Sequence, residues 1–183
     1  MTRSSLITSL CLLLLCIASA CSKPAENSAS TTASTPAASP ALTEDKHVRS
    51  VDVVKVTPQP LEIAAGGSGE AVVLLTVQNG YHINANPPTY PYLIATALEV
   101  PPANGLSAGK VTYPKPLSRK FIFAAKPLAV YEGDNELRAI IKAEKSATPA
   151  QQPLAAKLRI QACDEAVCYP PGTLDLVIPV SIK

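Results

Sequence analysis

Seven short stretches rich in Val, Ile, Leu and Thr, kept apart by clusters of proline and glycine, constrain this chain most. They cover residues 50–57, 71–78, 93–100, 120–124, 137–143, 154–162 and 173–182. Gly66-Gly67-Ser68-Gly69, Asn86-Pro87-Pro88, Pro101-Pro102 and Pro170-Pro171-Gly172 punctuate them. Such residues between such breakers read as strands and turns. No amphipathic helix of useful length is visible. Many short strands at this spacing predict an all-β fold, an immunoglobulin-like β-sandwich. The glycine run at 66–69 lacks the Lys-Ser/Thr of a phosphate loop, and a hairpin turn is its expected role.

The amino terminus predicts export. Met1-Thr2-Arg3 supplies one positive charge, residues 6–17 are an apolar run, and Ala18-Ser19-Ala20 is a small-residue cleavage pattern. The run is too short for a comfortable membrane span. Cys21 follows it, so Ala18-Ser19-Ala20-Cys21 resembles a bacterial lipobox with Cys21 as the lipidated residue. Plain secretion with a free Cys21 is the alternative. Residues 21–48, with Ser30-Thr31-Thr32-Ala33-Ser34-Thr35-Pro36, have no apolar periodicity and read as a tether. A flexible chain of that length spans roughly 30 Å. The expected organisation is a leader over 1–20, a lipidated tether over 21–48 and one domain over 49–183. The chain is then extracytoplasmic, anchored by lipid to a bacterial membrane and facing the periplasm.

Charge narrows the partners. One of the 16 basic residues, Arg3, leaves with the leader, giving 15 basic against 14 acidic. Without a basic stripe or an aromatic stacking motif, nucleic acid is not an expected partner.

Three of the five cysteines, Cys11, Cys16 and Cys21, fall in the leader region. The domain keeps Cys163 and Cys168, a close pair suited to one very short disulfide. Before it, Lys157, Arg159, Gln161 and Cys163 alternate with Leu158, Ile160 and Ala162. Side chains two apart share a strand face, so Cys163 is expected on the polar face beside Arg159 and Gln161. Both sulfurs should sit partly exposed at one end of a hairpin. The chain-entropy account gives about 2 kcal/mol for so short a loop, little for a structural staple. An accessible short disulfide suits exchange. Spacing alone leaves open a local loop clip.

Gln161-Ala162-Cys163-Asp164-Glu165-Ala166-Val167-Cys168-Tyr169-Pro170-Pro171 resembles the active-site hairpin of the periplasmic amino-terminal domain of the disulfide reductase DsbD. Asn79-Gly80-Tyr81-His82-Ile83-Asn84-Ala85-Asn86-Pro87-Pro88 and Leu128-Ala129-Val130-Tyr131-Glu132-Gly133 extend the likeness. It covers roughly residues 60–182, and the cysteine hairpin is its specific part. The resemblance implies an immunoglobulin-like domain that shuttles electrons as a dithiol/disulfide, with no metal or organic cofactor. The implied donor is a thioredoxin-like or DsbD-type membrane protein, and the implied acceptors are extracytoplasmic thiol-disulfide proteins. By the same resemblance Cys168 exchanges with partners and Cys163 resolves. No eight-helix membrane domain is visible, so a freestanding version is expected. The family's acidic, aromatic cap loop has no close copy. Its counterpart is Tyr113-Pro114-Lys115-Pro116-Leu117-Ser118-Arg119-Lys120-Phe121, which is basic.

Neighbouring side chains bear on this chemistry. Asp164 and Glu165 lie between the sulfurs, where negative charge raises a thiol pKa, while Arg159 pushes the other way. The expectation is a slow intrinsic thiol that reacts inside a partner complex. Alternatively, both carboxylates are solvated turn residues. His82, Asn84 and Asn86 share a face, and the aligned family segment lines the active site. His82 is thus a candidate base or hydrogen-bond partner near the sulfurs, or else a surface imidazole. Tyr169, Tyr113 and Tyr131 are expected to pack and to shield the disulfide. Two other functions remain in view. One is a binding lipoprotein with a structural disulfide. The other is Cu(I) handling by Cys163, Cys168 and His82, since soft thiolates suit Cu(I).

Overall fold

The computed structural model describes residues 48–183. The leader, Cys21 and all but the last residue of the tether lie outside them. The described chain is a β protein. It opens with a 3-10 turn at Ser50–Val53, followed by β1 (Val54–Pro58), β2 (Leu61–Ile63), β3 (Ser68–Val77), β4 (His82–Asn84), β5 (Ala97–Glu99) and β6 (Leu106–Thr112). Then come β7 (Leu117–Arg119), β8 (Leu128–Tyr131), β9 (Asp134–Ala143), β10 (Gln151–Ile160), β11 (Ala162–Cys163) and β12 (Gly172–Ile182). Among the described residues no helix is long and apolar enough to cross a membrane.

Three four-stranded sheets form, ordered β1-β3-β9-β6, β2-β12-β10-β5 and β11-β4-β8-β7. The long strands alternate strictly. Ala71, Val73, Leu75 and Val77 of β3 and Leu137, Ala139, Ile141 and Ala143 of β9 point inward. Leu154, Ala156, Leu158 and Ile160 of β10 and Leu176, Ile178, Val180 and Ile182 of β12 meet them in one core. Period-two burial from two sheets makes the two layers of an immunoglobulin-like sandwich. The third sheet adds Ile83, Tyr131 and Ala162 to that core, while Leu128 and Val130 form a second cluster with Phe121.

The sequence reading holds for the long strands and shifts elsewhere. Residues 50–57 divide into the 3-10 turn and β1, and 93–100 shorten to β5. Residues 120–124 are no strand. The Ala124 N–H closes a turn onto the Phe121 carbonyl, 3.2 Å. Three consecutive apolar residues, Phe121-Ile122-Phe123, have no alternation to offer a half-buried strand. Phe121 turns inward and Ile122 is left exposed. The glycine run makes a turn, with Gly66 at φ 75°, but it joins β2 to β3 across two sheets.

Candidate redox site

The cysteine hairpin stands where the chain changes sheets. β10 ends at Ile160, Gln161 bridges, and Ala162–Cys163 pair with β4 in the third sheet. This crossover breaks the polar face expected for Arg159, Gln161 and Cys163. Arg159 stays exposed on β10, opposite Ala97 and Thr173. Cys163 is fully buried, not partly exposed, because the change of sheet takes it off the outer face of β10 and sets β11 against β4 and the 3-10 turn. Cys168 is half-buried. The two form a disulfide with their Cα atoms 3.9 Å apart. The pair is therefore unequal, since Cys168 keeps some exposed surface and Cys163 none.

Asp164 builds the loop between them. One carboxylate oxygen accepts the Ala166 N–H at 2.7 Å and the Val167 N–H at 2.8 Å. The other accepts the Tyr169 hydroxyl at 2.6 Å. The Tyr169 hydroxyl, then the two backbone donors, hold the Asp164 carboxyl below its ordinary range. Asp164 is thus the organiser of the turn, not a merely solvated carboxylate. A side-chain oxygen that captures N–H groups two and three residues on is a common way to close so short a loop. The hydrogen bond to Asp164 pushes the Tyr169 phenol up to about 12. In a titration followed by tyrosinate absorbance, Tyr169 is expected to ionise near pH 12. Asp164→Asn should bring it back toward the ordinary value near 10. A Tyr169 that titrates alike in both proteins would contradict the bond.

His82 lies directly opposite Cys163 in the β4–β11 ladder. Side chains of such facing pairs share one face of the sheet. It is 3% exposed, so it is not a surface imidazole. Its ring stacks on Phe121 with centroids 4.1 Å apart, and its Nε2 has no hydrogen-bond partner. Burial pushes the His82 pKa down, and the charges of Glu132 and Asp164 oppose that only in part. The imidazole is consequently neutral at pH 7. Beside it opens a polar cleft of about 500 Å³, lined by His82, Phe121, Arg119, Lys120, Glu132 and Glu165. Arg119 grips Glu132 with contacts of 2.6, 3.0 and 3.1 Å. The basic segment expected to replace the cap loop thus reaches the site, through Arg119, Lys120 and Phe121.

Asn84 is fully buried and serves a different purpose from His82. Its Nδ2 donates to Gln161 Oε1 at 3.0 Å and to the Ile94 carbonyl at 3.3 Å. Gln161 Oε1 also accepts the Ile94 N–H at 3.0 Å, and its Nε2 donates to the Tyr169 carbonyl at 3.3 Å. Gln161 therefore links the 94 loop, β4 and the cysteine hairpin. Asn86 donates to the Thr96 carbonyl through Nδ2 and to the Tyr131 hydroxyl through its backbone N–H. Tyr131 is a core residue, and the Tyr113 hydroxyl accepts the Leu98 N–H at 3.2 Å. Of the three tyrosines, Tyr169 is bonded to the disulfide loop.

Sequence reading passed over Ser50, Phe121, Glu132 and the role of Gln161. Ser50 gave no signal, being the first residue of an expected strand. Phe121 was legible as a member of the cap-loop counterpart. Among the described residues no group of three or more His, Cys, Asp or Glu side chains is placed to hold a metal ion.

A β-sandwich with a short disulfide between one buried and one half-buried cysteine is an arrangement that a thiol-disulfide exchange module can use. The particular family follows from the sequence. Residues 50–177 match the model of the family "Thiol:disulfide interchange protein DsbD, N-terminal", and the chain belongs to that family. Among solved structures it is similar to the DsbD amino-terminal domain of Neisseria meningitidis in its reduced form. That match has 18% identity and a TM-score of 0.45, covering 73% of this chain and 90% of that one. It is also similar to AggA, the major subunit of aggregative adherence fimbriae type I from Escherichia coli. There the identity is 9% and the TM-score 0.36, with 71% and 94% covered. No curated protein matches the chain.

Proposed function

We propose that this protein is a membrane-tethered, extracytoplasmic relay that passes electrons between thiol-disulfide proteins through Cys163 and Cys168. The observation that carries the proposal is the unequal burial of the pair. Cys168 is half-buried and Cys163 has no exposed surface. Exchange needs an attacking sulfur with access and a second sulfur within reach of the first. Cys168 fits the first role and Cys163 the second.

In the reduced protein Cys168 gives its proton to solvent and the resulting thiolate attacks one sulfur of a partner disulfide. A mixed disulfide forms, the partner's own S–S bond breaks, and its other sulfur leaves as a thiolate and takes up a proton. Cys163 then loses its proton and attacks Cys168 Sγ. The Cys163–Cys168 bond closes, the mixed disulfide breaks, and the second partner sulfur leaves and is protonated. Two electrons and two protons have moved to the partner. A dithiol donor of the thioredoxin type reloads the pair by the same steps in reverse.

The fixed charge of Asp164 between the sulfurs disfavours a thiolate, and neutral His82 beside Cys163 supplies no compensating charge. The free dithiol is accordingly slow, and a docked partner speeds it. His82, opposite Cys163 in the β4–β11 ladder, is the candidate acceptor for the Cys163 proton in the second step. Cys21 carries the lipid that holds the domain at the membrane, with the tether giving it reach. The test mixes reduced chain with an oxidised thioredoxin-like protein and quenches by alkylation. Mass spectrometry of the peptide holding Cys163 and Cys168 should show it oxidised as the partner's thiols appear. A pair that stays reduced beside an oxidised partner of higher potential would defeat the proposal.

A further inference from the structure

We infer that Ser50 is a positioning residue for the redox pair. Its hydroxyl holds the two limbs of the cysteine hairpin together when the disulfide between them is open. This rests on the exchange reading above and adds a part to it.

Ser50 is 1% exposed. Its Oγ donates to the Pro170 carbonyl at 2.6 Å and accepts the Ala162 N–H at 3.0 Å. Ala162 directly precedes Cys163, and Pro170 is the second residue after Cys168. One oxygen therefore bridges both limbs at the base of the redox loop. A hydroxyl has a proton to give and lone pairs to accept with, so it can serve both groups at once. The bridge also stands where the backbone cannot zip itself, because Pro170 and Pro171 have no N–H.

Two backbone bonds join the limbs directly, Tyr169 N–H to the Ala162 carbonyl just outside the loop and Asp164 N–H to the Val167 carbonyl within it, both 2.9 Å. Gln161 Nε2 and the Asp164 carboxylate add side-chain bonds to Tyr169. The Ser50 bridge comes from outside the hairpin and is itself anchored. Gln78, just past β3, donates its backbone N–H to the Val53 carbonyl at 2.9 Å and its side chain to the Asp52 carbonyl at 3.2 Å. Val51 packs against the turn after the second limb, where a Cβ on Gly172 would lie 2.6 Å from Val51 Cγ1. The segment holding Ser50 is thus fixed to the first sheet while its hydroxyl grips the hairpin.

Opening the disulfide removes the cross-link that closes the loop and leaves the limbs covalently joined only through residues 164–167. A bridge that persists in the dithiol keeps Cys163 near Cys168 and raises the effective concentration of one thiol at the other. It favours ring closure and makes the reduced pair a stronger electron donor. Loss of the hydroxyl should lower the equilibrium constant for closure three- to tenfold. By the two-electron conversion this raises the potential by roughly 15–30 mV.

The experiment compares the full chain with Ser50→Ala, Ser50→Thr and Ile141→Val. Each is equilibrated in defined thiol buffers, alkylated and read on the Cys163–Cys168 peptide, with thermal unfolding measured alongside. Ser50→Ala is expected to raise the potential and to prolong a trapped mixed disulfide. Ser50→Thr, which keeps a hydroxyl, should stay near the unsubstituted chain. Ile141→Val, a core change in β9 away from the hairpin, should lower stability and leave the potential in place. If Ser50→Ala loses stability with no change in potential, the bridge is a structural tie and the inference falls. A chain whose unsubstituted pair never equilibrates with the buffers fails the exchange reading itself, a distinguishable result. Should Ser50→Ala not fold, hydrogen exchange on the unsubstituted chain decides. The Ala162 amide is expected to be protected in both redox states, and an amide that exchanges freely in the dithiol overturns the inference.

Discussion

Cys168→Ala is expected to abolish exchange with protein disulfides, and Cys163→Ala to convert the protein into a trap. The two cysteines are chemically equivalent in sequence but not in place. Cys168 is half-buried, whereas Cys163 is fully buried beside β4. A chain lacking Cys168 keeps a thiol that no partner sulfur reaches, so no exchange above the protein-free background is expected. A chain lacking Cys163 still makes the first attack, and nothing then resolves the adduct. It should accumulate a covalent 1:1 complex with an oxidised thioredoxin-like partner, visible on a non-reducing gel and lost on reduction. The reverse pattern, with the complex formed through Cys163, would show that the buried sulfur reaches the surface and would undo the assignment of roles.

The second large effect is expected at Phe121. It is 4% exposed, packs with Leu128 and Val130, and stacks on the His82 ring. Truncating a buried Phe to Ala typically costs about 3–5 kcal/mol. For a domain of this size that lowers Tm by on the order of 10 °C. The variant also tests the account of His82. Burial holds the folded-state pKa of His82 below that of the unfolded chain, which is near 6.5. The unfolded state therefore binds more protons below that value. Stability is full above pH 6.5 and falls as pH drops from there toward the folded pKa. Phe121→Ala exposes the imidazole, so its titration should move up toward 6.5 in an NMR pH series. The acid loss of stability that His82 contributes should shrink with it. An unmoved His82 titration would mean that Phe121 is not what buries the ring.

Alternation made the sandwich legible. In β9, β10 and β12 every second residue is apolar, and those residues form the core. The short strands of the third sheet carried no such pattern. His82, Ile83 and Asn84 are all buried, so both faces of β4 are covered and period two is lost. Alternation also misled at one place. Read on from β10, it puts Cys163 on the outer face. The change of sheet at Gln161 resets the register and places the sulfur inside. Nothing local marks that crossover, because Gln161 is held by Asn84 and the Ile94 N–H, far off in sequence. Ser50 escaped notice for the same reason, since its partners lie 112 and 120 residues away. The cysteine hairpin was readable because its chemistry is confined to six residues.

The central claim is that the Cys163–Cys168 bond is made to open and close. The reduction potential of the pair tests it most directly. The full chain is equilibrated in thiol buffers of graded potential, free thiols are trapped by alkylation, and the peptide bearing both cysteines is weighed. The account predicts that the bond opens and closes in the buffers while the domain stays folded, with a potential above about −300 mV, among labile disulfides. A bond below that value, which the buffers open only once the domain unfolds, would make the hairpin a structural clip and contradict the account.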